Sequence, residues 1–433
     1  MNATPPVAAG ISPPAVTLSG VNLHDNRAVG GASLTSGTEG GGGGQHVALH
    51  GLGGAGNLAD PNVSSNANDP NAQGGVIKTG GGLLTLSGTS FYSGVTTINA
   101  GTLALGANAL EQGAGQVIVG QNSGDDATLL LGGGSFLALG GWNFNTPTAS
   151  TDQPVIIAQN AGSVGTVVTG TGPGSNGAFI AARTFTGGSG TSSVVFTQEY
   201  AAEAGTNPLY PFYTSLTGSL GIVQAGIGTT QLQPLYGPNT FTGPVTVSSG
   251  TLATTGTAAA LAGTPLLNLM PGGVLSLGQT EGVDTGAVVM LSGGVLQTGT
   301  SLSQSLALLS VTGTVASTID FLGNGVTLNF ISLAIEPSST LSIWNYSNAI
   351  DSLNITTGTA FGDLASVRFF SDSGNTFLGY GGFDGTRLVP VAVPEPGTLA
   401  MAITGMACGG WSLLRRKRAR RRSAVRSSCC TVS

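Results

Sequence analysis

The sequence predicts an all-β fold of stacked strands, a β-solenoid, and three observations carry that expectation. Glycine supplies 73 of the 433 residues and charged residues only 7%, beside an ordinary apolar fraction of 40%. This composition asks for many turns and short strands, and it is unlike the charged, hydrophobe-poor make-up of a disordered chain. From Val76 onward, short apolar or Thr-rich runs alternate with Gly, Asn or Ser, the punctuation of short strands. Finally, the segment from Gly88, "GTSFYSGVTTINAGTLAL", aligns without a gap on the segment from Gly237, "GPNTFTGPVTVSSGTLAT".

Taken in chain order, residues 1–75 come first. From Thr38 to Gly75 they are dense in Gly, Asn and Asp, with too little apolar surface to offset the entropy of ordering. A flexible N-terminal region is expected. His46 and His50 stand four apart, but shared metal binding at that spacing needs a helix and a third ligand. Their Gly-rich flanks argue against one.

Residues 76–390 form the expected solenoid, with repeats near 80–106 and 228–256. In the alignment Gly88, Gly94 and Gly101 fall on Gly237, Gly243 and Gly250, and Thr102-Leu103-Ala104 falls on Thr251-Leu252-Ala253. Val95, Thr97 and the Leu103/Leu105 pair alternate with small or polar positions, as in a half-buried strand. The glycines mark corners. Neither unit buries its apolar side alone; stacking coil on coil closes that surface and pairs the backbone. At roughly 20 to 25 residues per coil, residues 76–390 would make about 13 to 15 coils. These units resemble the autotransporter-associated β-strand repeat of secreted bacterial passenger domains. That resemblance implies a right-handed parallel β-helix.

Near the far end of this region "LSIWNYSNAIDSLNI" places Trp344 and Tyr346 close together. A terminal coil needs a cover over its open edge, so the pair is expected to cap the stack or pack in a late coil; a ligand-stacking platform is the other reading.

Chemistry is thinly represented. Asp125-Asp126 and the pair Glu281 and Asp284 sit at turns, where carboxylates are usually solvated corners. A glycosidase needs two carboxylates across one groove, and a lyase needs a base with metal-binding carboxylates. The chain has no GxSxG, no HExxH and no phosphate loop. No catalytic residue, metal or cofactor is expected. All three cysteines, Cys408, Cys429 and Cys430, lie near the C-terminus, so the body has no disulfide framework. Eight of the 13 Lys and Arg follow residue 414, which leaves an acidic body without the basic surface that nucleic-acid binding requires.

Residues 391–422 differ from everything before them. Pro394-Glu395-Pro396 precedes an uncharged run, 397–414, and a basic cluster, 415–422, that begins Arg415-Arg416-Lys417-Arg418. As a helix the run would span roughly 27 Å, close to a hydrocarbon core of about 30 Å, and the cations would hold its end in the cytoplasm with the body outside. Residues 423–433 form a tail. The order of motif, span and cations resembles the PEP-CTERM sorting signal. The resemblance implies an exosortase-type processing enzyme as partner, cutting near Pro394, Glu395 and Pro396, and temporary membrane anchoring through 397–414 flanked by Arg415, Arg416, Lys417 and Arg418. The N-terminal stretch has no charged n-region followed by an apolar run, so export places the true start upstream of Met1. A passenger that drives its own export would instead end in amphipathic membrane strands, and this ending does not read so.

The expected function is an exported cell-surface or exopolysaccharide-matrix structural and adhesive β-solenoid. Its partners would include exopolysaccharide or cell-surface glycans, met by exposed Thr, Ser and Asn ladders. The alternative is a carbohydrate-active β-helix, a polysaccharide lyase or glycoside hydrolase whose acidic residues converge only in three dimensions.

Overall fold

The computed structural model describes residues 15–18, 22–29, 33–36, 46–50, 53–59, 75–86, 89–91, 95–106, 110–132, 135–139, 153–171, 178–197, 209–234, 237–255, 260–322, 325–357 and 360–391. The sorting motif, the run 397–414 and the cations from Arg415 lie outside the described residues. Among the described residues no helix is long and apolar enough to cross a membrane; they hold one 3-10 turn, Leu364–Ser366.

The body is a parallel β-solenoid whose coils lay strands on up to three walls; between Thr240–Phe241 and Ser303–Val311 the first wall carries only an isolated bridge, Leu261 to Val283. Alternation puts every second side chain inside, and parallel pairing sets equivalent residues of successive coils over one another. On the second wall Leu103, Leu129, Val167, Val194 and Ile222 are successive partners. Val245, Leu267, Val289, Leu309 and Leu333 continue the same row. Every member is at most 1% exposed. Full burial of such a side chain stabilises by about 1.5–3 kcal/mol, so this row is the spine of the core. The first wall stacks Val117, Val155, Phe185 and Leu216, and the third stacks Thr230, Leu252, Leu275, Leu296, Ile319, Ile343 and Phe369.

Coil length is uneven. Partners on the second wall recur every 22 residues through Val245, Leu267 and Val289, but 38 residues separate Val117 from its partner Val155. The coils are therefore fewer than even spacing predicts. The described strands within 1–75 pair among themselves, and His46–His50 also pairs in parallel with Gly75–Thr79.

The two sequence repeats share a corner but not a place. Gly101 and Gly250 both hold positive φ, 69° and 61°. A Cβ at Gly101 would stand 2.5 Å from the Gly82 carbonyl oxygen, and one at Gly250 would strike the carbonyl oxygen of Gly226. Thr96–Ile98 and Ala100–Leu105 nevertheless lie on the first and second walls, whereas Val245–Val247 and Gly250–Thr254 lie on the second and third. The conserved geometry is the corner between two strands, and coil length decides which corner it occupies.

The C-terminal end is closed by a hairpin. Phe377–Asp384 and Arg387–Val391 pair antiparallel around a two-residue turn at Gly385 (φ 63°). The first strand runs antiparallel to Val367–Phe370 on the third wall, and the second bridges Asn354 on the first wall. Leu388 is fully buried, and Leu378 and Phe383 pack on the core. Parallel addition of another coil is blocked, which is how an edge is protected.

Two glycines separate crowding from backbone conformation. Gly250 and Gly272 both have positive φ, but a Cβ at Gly272 would meet nothing within 4 Å. Gly272→Ala is expected to cost about 1–2 kcal/mol, the left-handed penalty alone, and Gly250→Ala clearly more. Denaturant midpoints of the two variants measure the difference.

Candidate functional site

The carboxylates singled out in the sequence serve turns. Asp125 Oδ2 accepts from the backbone N–H groups of Gln121 (3.1 Å) and Asn122 (2.7 Å). Asp284 Oδ1 accepts from the Gly286 N–H at 2.7 Å. Glu281 adopts φ 48° and accepts from the Ser305 hydroxyl at 3.3 Å. Asp125 and Asp284 thus close their own corners, whereas Glu281 reaches a residue 24 positions away. Among the described residues no three His, Cys, Asp or Glu side chains are grouped to hold a metal ion. His46 and His50 fall on one strand, where residues four apart are separated by about 13 Å along the backbone.

Hydroxyl and amide side chains line the outside in rows. Thr102, Thr128, Thr166 and Ser193 are successive partners on the second wall, with Thr166 and Ser193 hydroxyls 3.2 Å apart. Thr186 and Thr217 meet at 2.9 Å, Ser292 and Thr312 at 2.7 Å, and the Asn354 amide donates to Asn329 Oδ1 at 2.8 Å. Such same-face pairs hold neighbouring coils in register.

The densest cluster of distinct chemistry lies outside the third wall, next to the cap. Gln297, Asp320 and Trp344 are successive partners in one row. Thr318, Ser342, Arg368 and Tyr380 form the adjacent row. Asp320 is 6% exposed and accepts from the Asn345 amide at 2.7 Å and the Gln297 amide at 3.4 Å. Trp344 is half-buried, and Gly374 lies so close that a Cβ there would stand 3.1 Å from the indole nitrogen. Phe377 and Tyr380 are 42% and 40% exposed, with ring centroids 5.1 Å apart in an edge-to-face arrangement.

Trp344 and Tyr346, two apart, point to opposite sides. Asn345 between them takes φ 55°, a left-handed conformation that Asn tolerates better than most residues. The chain therefore breaks its alternation. Tyr346 turns inward at 2% exposure, edge-to-face between Phe321 (5.6 Å) and Phe369 (4.9 Å). Its phenol is pushed up by burial, with the Arg387 charge opposing. Tyr346 thus packs within a late coil, while Trp344 stays on the outer face.

The loop beside Trp344 is tied by Asp372. Its Oδ1 accepts from the N–H groups of Asn375 (2.7 Å) and Thr376 (2.8 Å), and its Oδ2 from the Thr376 hydroxyl (2.7 Å). These bonds, those from Thr376 foremost, hold the carboxyl below its ordinary value. At the opposite end Lys78 is fully buried, and its ammonium donates to the carbonyls of Thr79 (3.2 Å), Gly80 (2.5 Å) and Ala100 (2.9 Å). Burial lowers its pKa. It locks a corner and offers no charge to solvent.

Two outcomes follow. Tyr346→Ala is expected to cost about 3–5 kcal/mol, as for other large core aromatics, whereas Trp344→Ala costs distinctly less; chemical denaturation measures both. Because the folded pKa of Asp372 is depressed, its contribution is present above the ordinary carboxylate pKa and is lost as pH falls through the lower, folded value. With Trp142 and Trp411 replaced by Phe, Trp344 fluorescence should hold steady down to that ordinary pKa and change only in more acidic solution.

Comparison with known proteins bears on the repeat. The family described as Passenger-associated-transport-repeat matches residues 76–105 and 222–253, the two places where the repeat was read from the residues. The Adhesin BmaC autotransporter of Brucella suis biovar 1 (strain 1330) is 28% identical over 268 residues, covering 59% of this chain and 7% of that protein. No solved structure matches the chain. The chain is a parallel β-solenoid that carries two passenger-associated repeats and is similar, over a small fraction of its relative's length, to an autotransporter adhesin.

Proposed function

We propose that this protein is an exported cell-surface or extracellular-matrix β-solenoid that acts by adhesion rather than by catalysis. The observation that carries the reading is the outer surface of the third wall beside the cap, where aromatic, amide and cationic side chains stand in rows on a rigid stack. The repeats and the likeness to an adhesin autotransporter support it. An enzyme reading needs carboxylates facing one another across a groove; those described at Asp125, Asp284 and Asp372 are spent on turns.

The route to the surface is part of the proposal. Pro394, Glu395 and Pro396 form the recognition motif for an exosortase-type enzyme, residues 397–414 anchor the chain in the cytoplasmic membrane, and Arg415, Arg416, Lys417 and Arg418 hold that anchor's inner flank. Processing then leaves the body on the surface or in the matrix, where exopolysaccharide or cell-surface glycans are its partners.

Two measurements on native cells test these statements. An antibody against residues 75–391 should label intact cells, and beads coated with the protein should adhere to them; a body shielded until the envelope is broken would contradict surface placement. Intact mass should show a chain ending near Pro396, well short of the full-length 42.6 kDa. A chain still carrying Ser433 would contradict processing.

A further inference from the structure

We propose that the outer face formed by Trp344, Arg368, Tyr380 and Phe377 is a binding subsite for an acidic glycan, one whose sugar residues carry carboxylates. The inference deepens the adhesive reading and rests on it.

Ring spacing is the first ground. Asp320 and Trp344 belong to successive coils, as do Ser342 and Arg368, and strands in adjacent coils lie about 4.8 Å apart. A pyranose ring is about as wide as that spacing, so a sugar chain laid along the stack presents one ring to each coil. Pyranoses offer an apolar face of C–H groups and a rim of hydroxyls. Exposed Phe377 and Tyr380, with the half-buried Trp344 beside them, supply apolar ring surface for the former, and aromatics gathered in one exposed patch mark an interaction site.

Charge is the second ground. Among the cations whose side chains are described, Lys78 is buried on carbonyls, Arg387 donates to Asn348 and to the Asp351 carbonyl, and Arg183 is engaged. Arg368 is exposed, on the same face as Tyr380, and its guanidinium makes no hydrogen bond or ion pair among the described residues. A guanidinium fork is matched to a carboxylate. A neutral glycan would leave it unused.

Rigidity is the third ground. Asn345 takes a left-handed conformation, its side-chain amide donates to Asp320 at 2.7 Å and its backbone N–H donates to the Asp372 carbonyl at 3.1 Å. This fixes the outward setting of Trp344 before any ligand arrives, and a pre-set surface spends less on ordering.

The test is calorimetric titration of the full chain with a hexamer of galacturonic acid, the same hexamer with its carboxyls reduced to alcohols, and a neutral β-1,4-glucose hexamer. The acidic hexamer should bind, and its affinity should fall as salt rises. Arg368→Ala should weaken it about tenfold or more, with Arg368→Lys recovering part of the loss. Trp344→Phe should weaken all binding without unfolding the chain, as circular dichroism checks. Thr166→Ala, on the second wall, should leave affinity unchanged. Equal binding of acidic and neutral hexamers with no effect of Arg368→Ala would overturn the proposal, as would no binding of the acidic hexamer. Bead adhesion of the wild-type protein, measured in parallel, separates the two ideas: adhesion without binding of the acidic hexamer sinks the subsite alone, while loss of adhesion sinks the broader reading.

Discussion

Parallel pairing of one coil with the next is the interaction on which everything else depends. Each strand satisfies its backbone groups only through the coils on either side, and the same pairing sets Leu103, Leu129 and Val167, and later Val245, Leu267 and Val289, on top of one another. No coil has a core of its own. The inside of the molecule is thereby committed to a repeating apolar row, and whatever distinguishes this protein from another solenoid must be carried on the outside or at the ends.

Ends are the weak points of such a stack, because the last coil exposes a full set of unpaired donors and acceptors. Here the chain reverses direction at Gly385 and lays two antiparallel strands over the final coil. The same hairpin contributes Phe377 and Tyr380 to the outer face. Sealing the stack and building the most chemically varied surface on it are thus achieved by one short segment, which explains why that surface lies beside the cap instead of midway along a wall.

Much of the architecture was legible because alternation and glycine spacing are local signals. Gly101 and Gly250 were readable as corners, and Leu103 and Leu105 as inward positions, without knowing any partner. Wall assignment was not legible, since it depends on loop lengths such as the 38 residues between Val117 and Val155. Trp344 and Tyr346 read as one aromatic feature because residues two apart share a strand face; the positive φ at Asn345 that separates them is imposed by Asp320 and the Asp372 carbonyl, each about 25 residues away. Arg368 likewise gains meaning only beside Ser342 and Tyr380. The cap did leave a mark in the sequence: Gly385-Thr386 between alternating runs is a two-residue hairpin loop with Gly at its first central position, and it was submerged among many other glycines.

The central claim is that one continuous stack, sealed at the cap, holds the outer face of the third wall rigid. Amide hydrogen exchange of the full chain, read by mass spectrometry, tests it most directly. The account predicts slow exchange in the described strands from 95 to 370 on all three walls, with Leu341–Trp344 and Val367–Phe370 protected as well as the strands beneath them. Rapid exchange confined to those last two strands would mean that the hairpin does not seal the stack, and would contradict the claim.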